Sequence, residues 1–152
     1  MLRWLRRDER GQSFVEVTVV SVFLILLVVM IFEAGVMFSS YMALLNASRE
    51  GAMYASAHLA LLTLPTTDSK YAIYTENVVK AEVQMGNMLQ PQYLTIQRPV
   101  LVNGTSSFGD PIKVQVNYEL HTFTSGISLP FFGRFGLPPY WPLSAWTIMP
   151  IR

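Results

Sequence analysis

The apolar residues of the chain are concentrated in one long run near its start. Sixteen uncharged residues separate Glu16 from Glu33, and fifteen more follow from Ala34 to Ser48. A helix over residues 14–38 would rise about 37 Å at about 1.5 Å per residue, which exceeds the roughly 30 Å hydrocarbon core of a bilayer. The pattern therefore predicts one transmembrane helix.

The same helix is predicted to continue well beyond the membrane. Small residues recur at every fourth position and give the helix a face that another backbone can approach closely. These residues are Ala43, Ala47, Gly51 and Ala55. This face is expected either to pack on the protein's own sheet or to contact another subunit. Pro65 ends the pattern, so we predict a helix over residues 12–62, about 75 Å long.

Shorter patterns follow the long helix. Residues 71–89 have apolar positions at helical spacing, and residues 112–120 alternate strictly between apolar and polar, as in a strand with one face in water. Residues 93–102 and 143–148 are predicted as further strands, with Pro99 placing the first at an edge or a break. The expected fold class is α+β: a long N-terminal helix, transmembrane in its first half, with a small antiparallel sheet and a second helix outside the membrane.

Residues 124–142 differ in composition from the rest of the outer region, because four of the nine prolines fall there together with several glycines. We expect a loop. The large apolar residues of this segment are Phe131, Phe132, Phe135, Tyr140 and Trp141. They are too many for an ordinary solvated loop, so they are expected either to form a contact surface or to fold back over the core.

The flanking charges predict the orientation of the helix. Arg3, Arg6, Arg7 and Arg10 precede the apolar run, and the first basic residue after it is Arg49. Lys and Arg are retained on the cytoplasmic side of a membrane. The N-terminus is therefore predicted to lie in the cytoplasm, and the C-terminus on the outer side of the cytoplasmic membrane. The net charge is only +1, so nothing points to a nucleic-acid partner.

The sequence offers no reactive constellation. It contains no cysteine, which excludes disulfides and thiolate metal sites, and its two histidines, His58 and His121, fall on different predicted elements. Metalloprotease, nucleophile-elbow and phosphate-loop motifs are absent. We therefore expect a protein that is not an enzyme and has no cofactor and no metal site.

One carboxylate lies just inside the apolar run. If the chain were cut after Gly11, the four arginines would be removed, Gln12 would become the N-terminus and Glu16 would be the fifth residue. The new α-amino group would be charged at neutral pH and would need a carboxylate partner once helices packed around it. Glu16 of an axially displaced neighbour could supply that carboxylate.

These residues carry a resemblance to a known family. The stretch from Gly11 to Glu16, followed by an apolar helix, resembles the cleavage and assembly signal of type IV prepilins. Together with Phe32–Gly35 and Leu45–Ala55 (LNASREGAMYA), it resembles the TadE-like pseudopilins of tight-adherence (Flp-type) pilus systems over roughly residues 10–60. Val17 stands where major Flp pilins usually carry Tyr and TadE-like proteins often carry Phe. The absence of Tyr and the length of the chain both argue against a major pilin.

The resemblance implies a pilin-like fold and a minor structural role in pilus assembly, adhesion or surface attachment. It implies three regions: a cytoplasmic leader over residues 1–11, the long helix over 12–62, and an extracytoplasmic α+β domain over 63–152. The implied partners are a prepilin peptidase, other pilins and pseudopilins, the assembly platform proteins and the lipid bilayer. The implied location is the cytoplasmic (inner) membrane, and two alternatives stay open: the subunit enters a surface pilus, or it stays at the base of the pilus.

An alternative function stays open. The chain could be an uncleaved single-pass protein whose outer domain binds a ligand or partner, with Glu16 an ordinary interfacial residue. Removal of the leader separates the two hypotheses.

Overall fold

The computed structural model describes residues 9–80, 83, 89–129, 133–135 and 137–152. A long N-terminal apolar helix, a short second helix and a small antiparallel sheet make up the fold. The predicted pilin-like α+β class is confirmed. The chain divides into two compact units, Met1–Gly35 and Val36–Arg152.

Helix α1 runs from Glu9 to Ala57 without interruption. In the first unit its large apolar side chains are exposed from Phe14 to Phe32, apart from the half-buried Leu26 and Val29. Within the described residues α1 is long and apolar enough to cross a membrane, and its most apolar window, with a mean hydropathy of 2.9, has no buried residue. Exposed apolar surface on this scale is consistent with membrane anchoring or with a signal sequence.

The segments after α1 lead into the second helix. A 3₁₀ turn spans Leu59–Leu62, and α2 spans Ser69–Ala72 and continues as π-helical turns over Ile73–Lys80. The Asp68 side chain caps α2 by accepting from the backbone N–H of Lys70 at 2.8 Å. The predicted second helix is thus confirmed through residue 80, and most of its remaining predicted length lies outside the described residues.

The main sheet is built around β3, Pro111–His121. The short strands β1, Leu94–Ile96, and β2, Val100–Leu101, pair with one edge of β3, and β6, Tyr140–Pro150, pairs with the other. All pairings are antiparallel. The strands predicted over residues 93–102, 112–120 and 143–148 are confirmed, including the break at Pro99, which cannot donate a ladder hydrogen bond.

The loop predicted over residues 124–142 is corrected by the structure. This segment contains a hairpin of β4, Ile127–Leu129, and β5, Gly133–Phe135, and then the first residues of β6. Two hydroxyls close the base of the hairpin: Thr122 Oγ1 donates to the Pro138 carbonyl at 2.6 Å, and Thr124 Oγ1 accepts from the backbone N–H of Leu137 at 3.2 Å. Strands of three residues carry too little alternation to be recognised in sequence.

The core lies within the second unit. The alternation in β3 places five side chains on its buried face: Ile112, Val114, Val116, Tyr118 and Leu120. They belong to one buried cluster with apolar residues of α1 and of the segment after α2, among them Leu44, Tyr74 and Val79. The outer part of α1 is therefore an integral element of the folded domain.

Candidate processing and assembly segment

The residues predicted for processing and assembly lie together on the first turns of α1. Gly11, Gln12 and Glu16 are helical and exposed. The Gln12 side-chain amide donates to Glu16 Oε1 at 3.2 Å, one helical turn away. A carboxylate accepts several hydrogen bonds, so this contact leaves Glu16 capacity for a further donor or cation.

Gly11 has no structural requirement in the described residues. It does not adopt a positive φ, and a Cβ built on it would meet nothing within 4 Å. Glycine in a helix is less favourable than alanine by about 0.5–1 kcal/mol, because glycine loses more backbone freedom. The folded structure therefore explains neither the choice of glycine here nor any need for its small size.

The hydroxyls within the exposed apolar part of α1 are internally satisfied. Thr18 Oγ1 donates to the Phe14 carbonyl at 2.8 Å, and Ser21 Oγ donates to the Val17 carbonyl at 2.7 Å. Such bonds matter in a medium without water, where an unpaired hydroxyl costs several kcal/mol. Glu16 is the one ionisable side chain among residues 11–32, so this stretch contains no basic side chain that could neutralise its carboxylate.

Sequence reasoning gave no role to a second polar position on α1. Glu33 is only 3% exposed and Ser40 only 2% exposed, although both occur in a strongly apolar stretch. Their positions fall in helical register with the buried Leu44 and Ala47. That spacing in the sequence could have indicated that the buried face of α1 begins at Glu33.

The small-residue face of α1 lies against the domain's own core. Ala47, Gly51 and Ala55 are buried, and Ala43 is half-buried. A Cβ on Gly51 would lie 3.0 Å from Val79 Cγ2 and 3.2 Å from Val114 Cγ1. At the three buried positions the observed arrangement is packing within the protein's own core, whereas Ala43 keeps part of its surface exposed.

The predicted aromatic contact surface is only partly within the described residues. Phe131 and Phe132 lie outside them. Phe135 stands opposite Ile127 in the β4–β5 register. Tyr140 is 55% exposed and Trp141 is half-buried.

The two histidines occupy separate aromatic settings. The His58 ring stacks on Tyr54 at 4.2 Å, and its Nδ1 lies 2.9 Å from the Tyr54 carbonyl oxygen. His121 packs against Tyr93 at 4.2 Å and meets Tyr140 edge-on at 4.7 Å. In the part of the chain that the structure describes, no group of three His, Asp or Glu residues could hold a metal ion.

The buried hydroxyl of Tyr74 has a shifted pKa. Burial, with a smaller contribution from nearby Tyr71, raises the pKa of the Tyr74 phenol well above its ordinary value. Its Oη has no hydrogen-bond partner among the described residues. The phenol therefore stays neutral and serves the packing of the core.

Comparison with known proteins identifies the N-terminal region. The sequence profile of the TadE-like protein family matches residues 11–53. The match confirms the resemblance drawn from the sequence and begins at Gly11, the residue before the predicted cut. No curated protein and no solved structure matches the chain.

Proposed function

We propose, from the match of residues 11–53 to the TadE-like family, that the chain is a minor structural subunit, a pseudopilin, of a Tad-type pilus. On this proposal it is made as a precursor in the cytoplasmic membrane and is cut after Gly11. It then contributes to pilus assembly, adhesion or surface attachment. The match supports a role as a pilus component and not membership in an enzyme family.

The observation that carries the proposal is the arrangement at the start of α1. Gly11, which no packing contact explains, is followed by the Gln12–Glu16 hydrogen bond and then by the exposed apolar stretch that ends at Phe32. A peptidase that recognises the residue before the cut supplies a reason for glycine that the fold does not. Cleavage there would free the α-amino group of Gln12.

Glu16 has a defined task in this proposal. When the helices of several subunits leave the bilayer and pack together, each new α-amino group becomes a buried cation. An unpaired buried charge is strongly destabilising, by about 3–5 kcal/mol when one partner of a pair is missing. Glu16 of a neighbour displaced along the helix axis neutralises that cation and so fixes the register between subunits.

The proposed partners follow from this route. They are the prepilin peptidase, other pilins and pseudopilins, the assembly platform and the bilayer itself. The N-terminus lies in the cytoplasm before the cut, and the domain of residues 63–152 lies outside.

The test is the N-terminal sequence of the protein isolated from membranes of its own organism, read by mass spectrometry. We expect the mature chain to start at Gln12 and the Gly11→Ala variant to keep the full leader. Gly35→Ala is the matched control, because Gly35 is also a helical glycine of α1 with no atom near its Cβ position.

The outcome also decides the alternative function. A wild-type chain that keeps Met1 in cells with an active prepilin peptidase would make it a permanently anchored protein with an outer binding domain. Normal processing of Gly11→Ala would refute the assigned junction.

A further inference from the structure

One long edge of the main sheet has no neighbouring strand. β6 pairs with β3 along its whole length, and with no other strand in the part of the chain that the structure describes. Proteins usually protect such an edge with a charged side chain, a proline or a bulge, because its unpaired backbone groups can bind another strand. Between Pro142 and Pro150, β6 contains none of these features. The edge is therefore open over residues 143–149.

Hydrogen bonds at the end of the ladder show which backbone groups face this edge. Ile151 donates its backbone N–H to the Asp110 carbonyl at 2.9 Å and accepts from the backbone N–H of Gly109 at 3.0 Å, so Ile151 faces β3. Because backbone groups alternate in direction along a strand, the odd-numbered residues of β6 face β3 and the even-numbered residues face the open edge. Pro142 and Pro150 are even-numbered, as expected for prolines, which cannot donate to the ladder.

Three backbone donors remain along the open edge. They belong to Ser144, Trp146 and Ile148, which are all exposed, and none of the described residues accepts a hydrogen bond from them. The edge closes at Arg152, whose backbone N–H donates to the Ser56 carbonyl of α1 at 3.2 Å. This stretch of β6 thus presents donors and acceptors in the pattern that an added β-strand requires.

The outer face of the sheet beside this edge is apolar and carries one cation. Trp146 is 55% exposed, Ile148 is 44% exposed, and Lys113 of β3 lies opposite Ile148. The Lys113 ammonium lies 5.3 Å from the centroid of the Trp146 ring, so its charge is directed toward the strand at the edge. Among the described residues, no carboxylate forms an ion pair with Lys113. A carboxylate on an added strand would complement this charge.

The charges distinguish two possible occupants of the edge. A second copy of this chain would add its own β6, which has no charged residue, and would leave Lys113 without a carboxylate. A strand of another protein that carries Asp or Glu complements both the backbone edge and the cation. Complementary charges across an interface favour the correct partner and the correct register.

We propose that the open edge of β6 binds an extended segment of another protein, which adds as a strand beside residues 143–149 and places a carboxylate near Lys113. The backbone hydrogen bonds supply affinity, whereas Trp146 and Lys113 select the side chains of the partner. This interaction belongs to the outer domain and does not depend on cleavage after Gly11.

Photocross-linking in cells of its own organism tests the occupant. The photoreactive amino acid p-benzoylphenylalanine replaces Ile148 in the full-length chain, and the cross-linked peptides are identified by mass spectrometry. Ser144→Pro removes one backbone donor from the open edge and leaves the ladder with β3 intact, whereas Ser144→Ala, the matched control, keeps that donor. Lys113→Glu reverses the charge, and Lys113→Arg keeps it.

We expect cross-links to a segment of another protein that contains a carboxylate. Their yield should fall several-fold in Ser144→Pro and in Lys113→Glu, and should change little in the two control variants. Cross-links to a second copy of this chain would overturn the assigned occupant. A yield that Ser144→Pro does not change, or no cross-link at all, would overturn strand addition at this edge.

Hydrogen exchange tests the same edge without a substitution in the strand, and so decides the question if Ser144→Pro does not fold. The backbone N–H groups of Ser144, Trp146 and Ile148 should exchange several-fold more slowly in native membranes than in the purified protein. The backbone N–H groups of Thr147 and Met149 face β3 and should be protected in both. Equal exchange of the three edge donors in both samples would overturn the proposal, whatever the N-terminus of the mature chain.

Discussion

Two glycines of α1 show how a structural requirement differs from a recognition requirement. Gly51 lies so close to Val79 and Val114 that a Cβ would have to displace them, whereas a Cβ on Gly11 would meet nothing within 4 Å. The sequence assigned Gly11 to a cleavage signal and Gly51 to a small-residue face, but it could not show which atoms Gly51 approaches. The packing shows that the fold requires a glycine at position 51, whereas no packing contact explains the glycine at position 11.

Glu16 can be tested by a change that keeps its shape. We expect Glu16→Gln to insert into the membrane and to be cleaved, since the amide preserves the size and a hydrogen bond to Gln12. Assembly should fall at least about tenfold, because an amide cannot neutralise the α-amino group of a neighbour. The measurement is the amount of the chain recovered with other pilins in sheared pili.

Glu50→Gln controls for the loss of a carboxylate elsewhere on α1, outside the apolar stretch. It should assemble normally. Normal pili with normal subunit stoichiometry in the Glu16→Gln strain would contradict the pairing role of Glu16.

Two buried tyrosines predict opposite effects of the same substitution. Tyr74 Oη has no partner among the described residues, whereas Tyr118 Oη accepts from the backbone N–H of Gln90 at 3.1 Å. Tyr74→Phe should therefore leave the free energy of unfolding unchanged or raise it by up to about 1 kcal/mol. Tyr118→Phe should lower the free energy of unfolding by about 1 kcal/mol, because the backbone N–H of Gln90 then loses its acceptor. Urea unfolding of the detergent-solubilised protein measures both, and equal effects would contradict this account.

Tyr74 also predicts a pH dependence. Its pKa is raised in the folded state, so the unfolded state loses the proton first as the pH rises. The stability contribution is complete below the unfolded-state pKa of about 10 and is lost above it. Wild-type protein should lose stability between pH 8.5 and about 11 more steeply than Tyr74→Phe. Parallel curves for the two proteins would show that Tyr74 does not titrate on unfolding.

At the scale of elements, long patterns were predictable and short ones were not. The long helix was predicted from its apolar run, although α1 ends at Ala57 and not at residue 62, and β3 was predicted from its repeated alternation. The strand predicted over residues 143–148 lies within β6. The β4–β5 hairpin was missed, because each strand has three residues and the closing bonds come from Thr122 and Thr124, distant from their partners in sequence. Among the candidate residues, the sequence predicted the small face of α1 but could not choose between its two possible partners.

The element packing gives a prediction at Gly51. Gly51→Leu would place a large side chain between α1, the segment after α2 and β3, and such overpacking typically costs about 1–3 kcal/mol. We expect the midpoint of thermal unfolding to fall by at least about 4 °C. Near-ultraviolet circular dichroism measures it. Gly35→Leu is the control, because nothing lies within 4 Å of its Cβ position, and an equal fall in both variants would contradict the packing account.

At the scale of the whole molecule, the basic residues at the N-terminus and the polar turns after α1 predict one orientation. The first eleven residues carry four arginines, and the folded domain carries the polar turn over residues 103–107. A cysteine placed at Ser107 should therefore react with a membrane-impermeant maleimide in intact spheroplasts. A cysteine placed at Leu2 should react only after the membrane is permeabilised. Both variants are made on Gly11→Ala, so that residues 1–11 are kept.

The reverse pattern would invert the topology and remove α1 from any cytoplasmic cleavage route, because Gly11 would then lie on the outer side. The predicted pattern would leave Gly11 on the side where its peptidase must act and the folded domain on the side where a pilus is built.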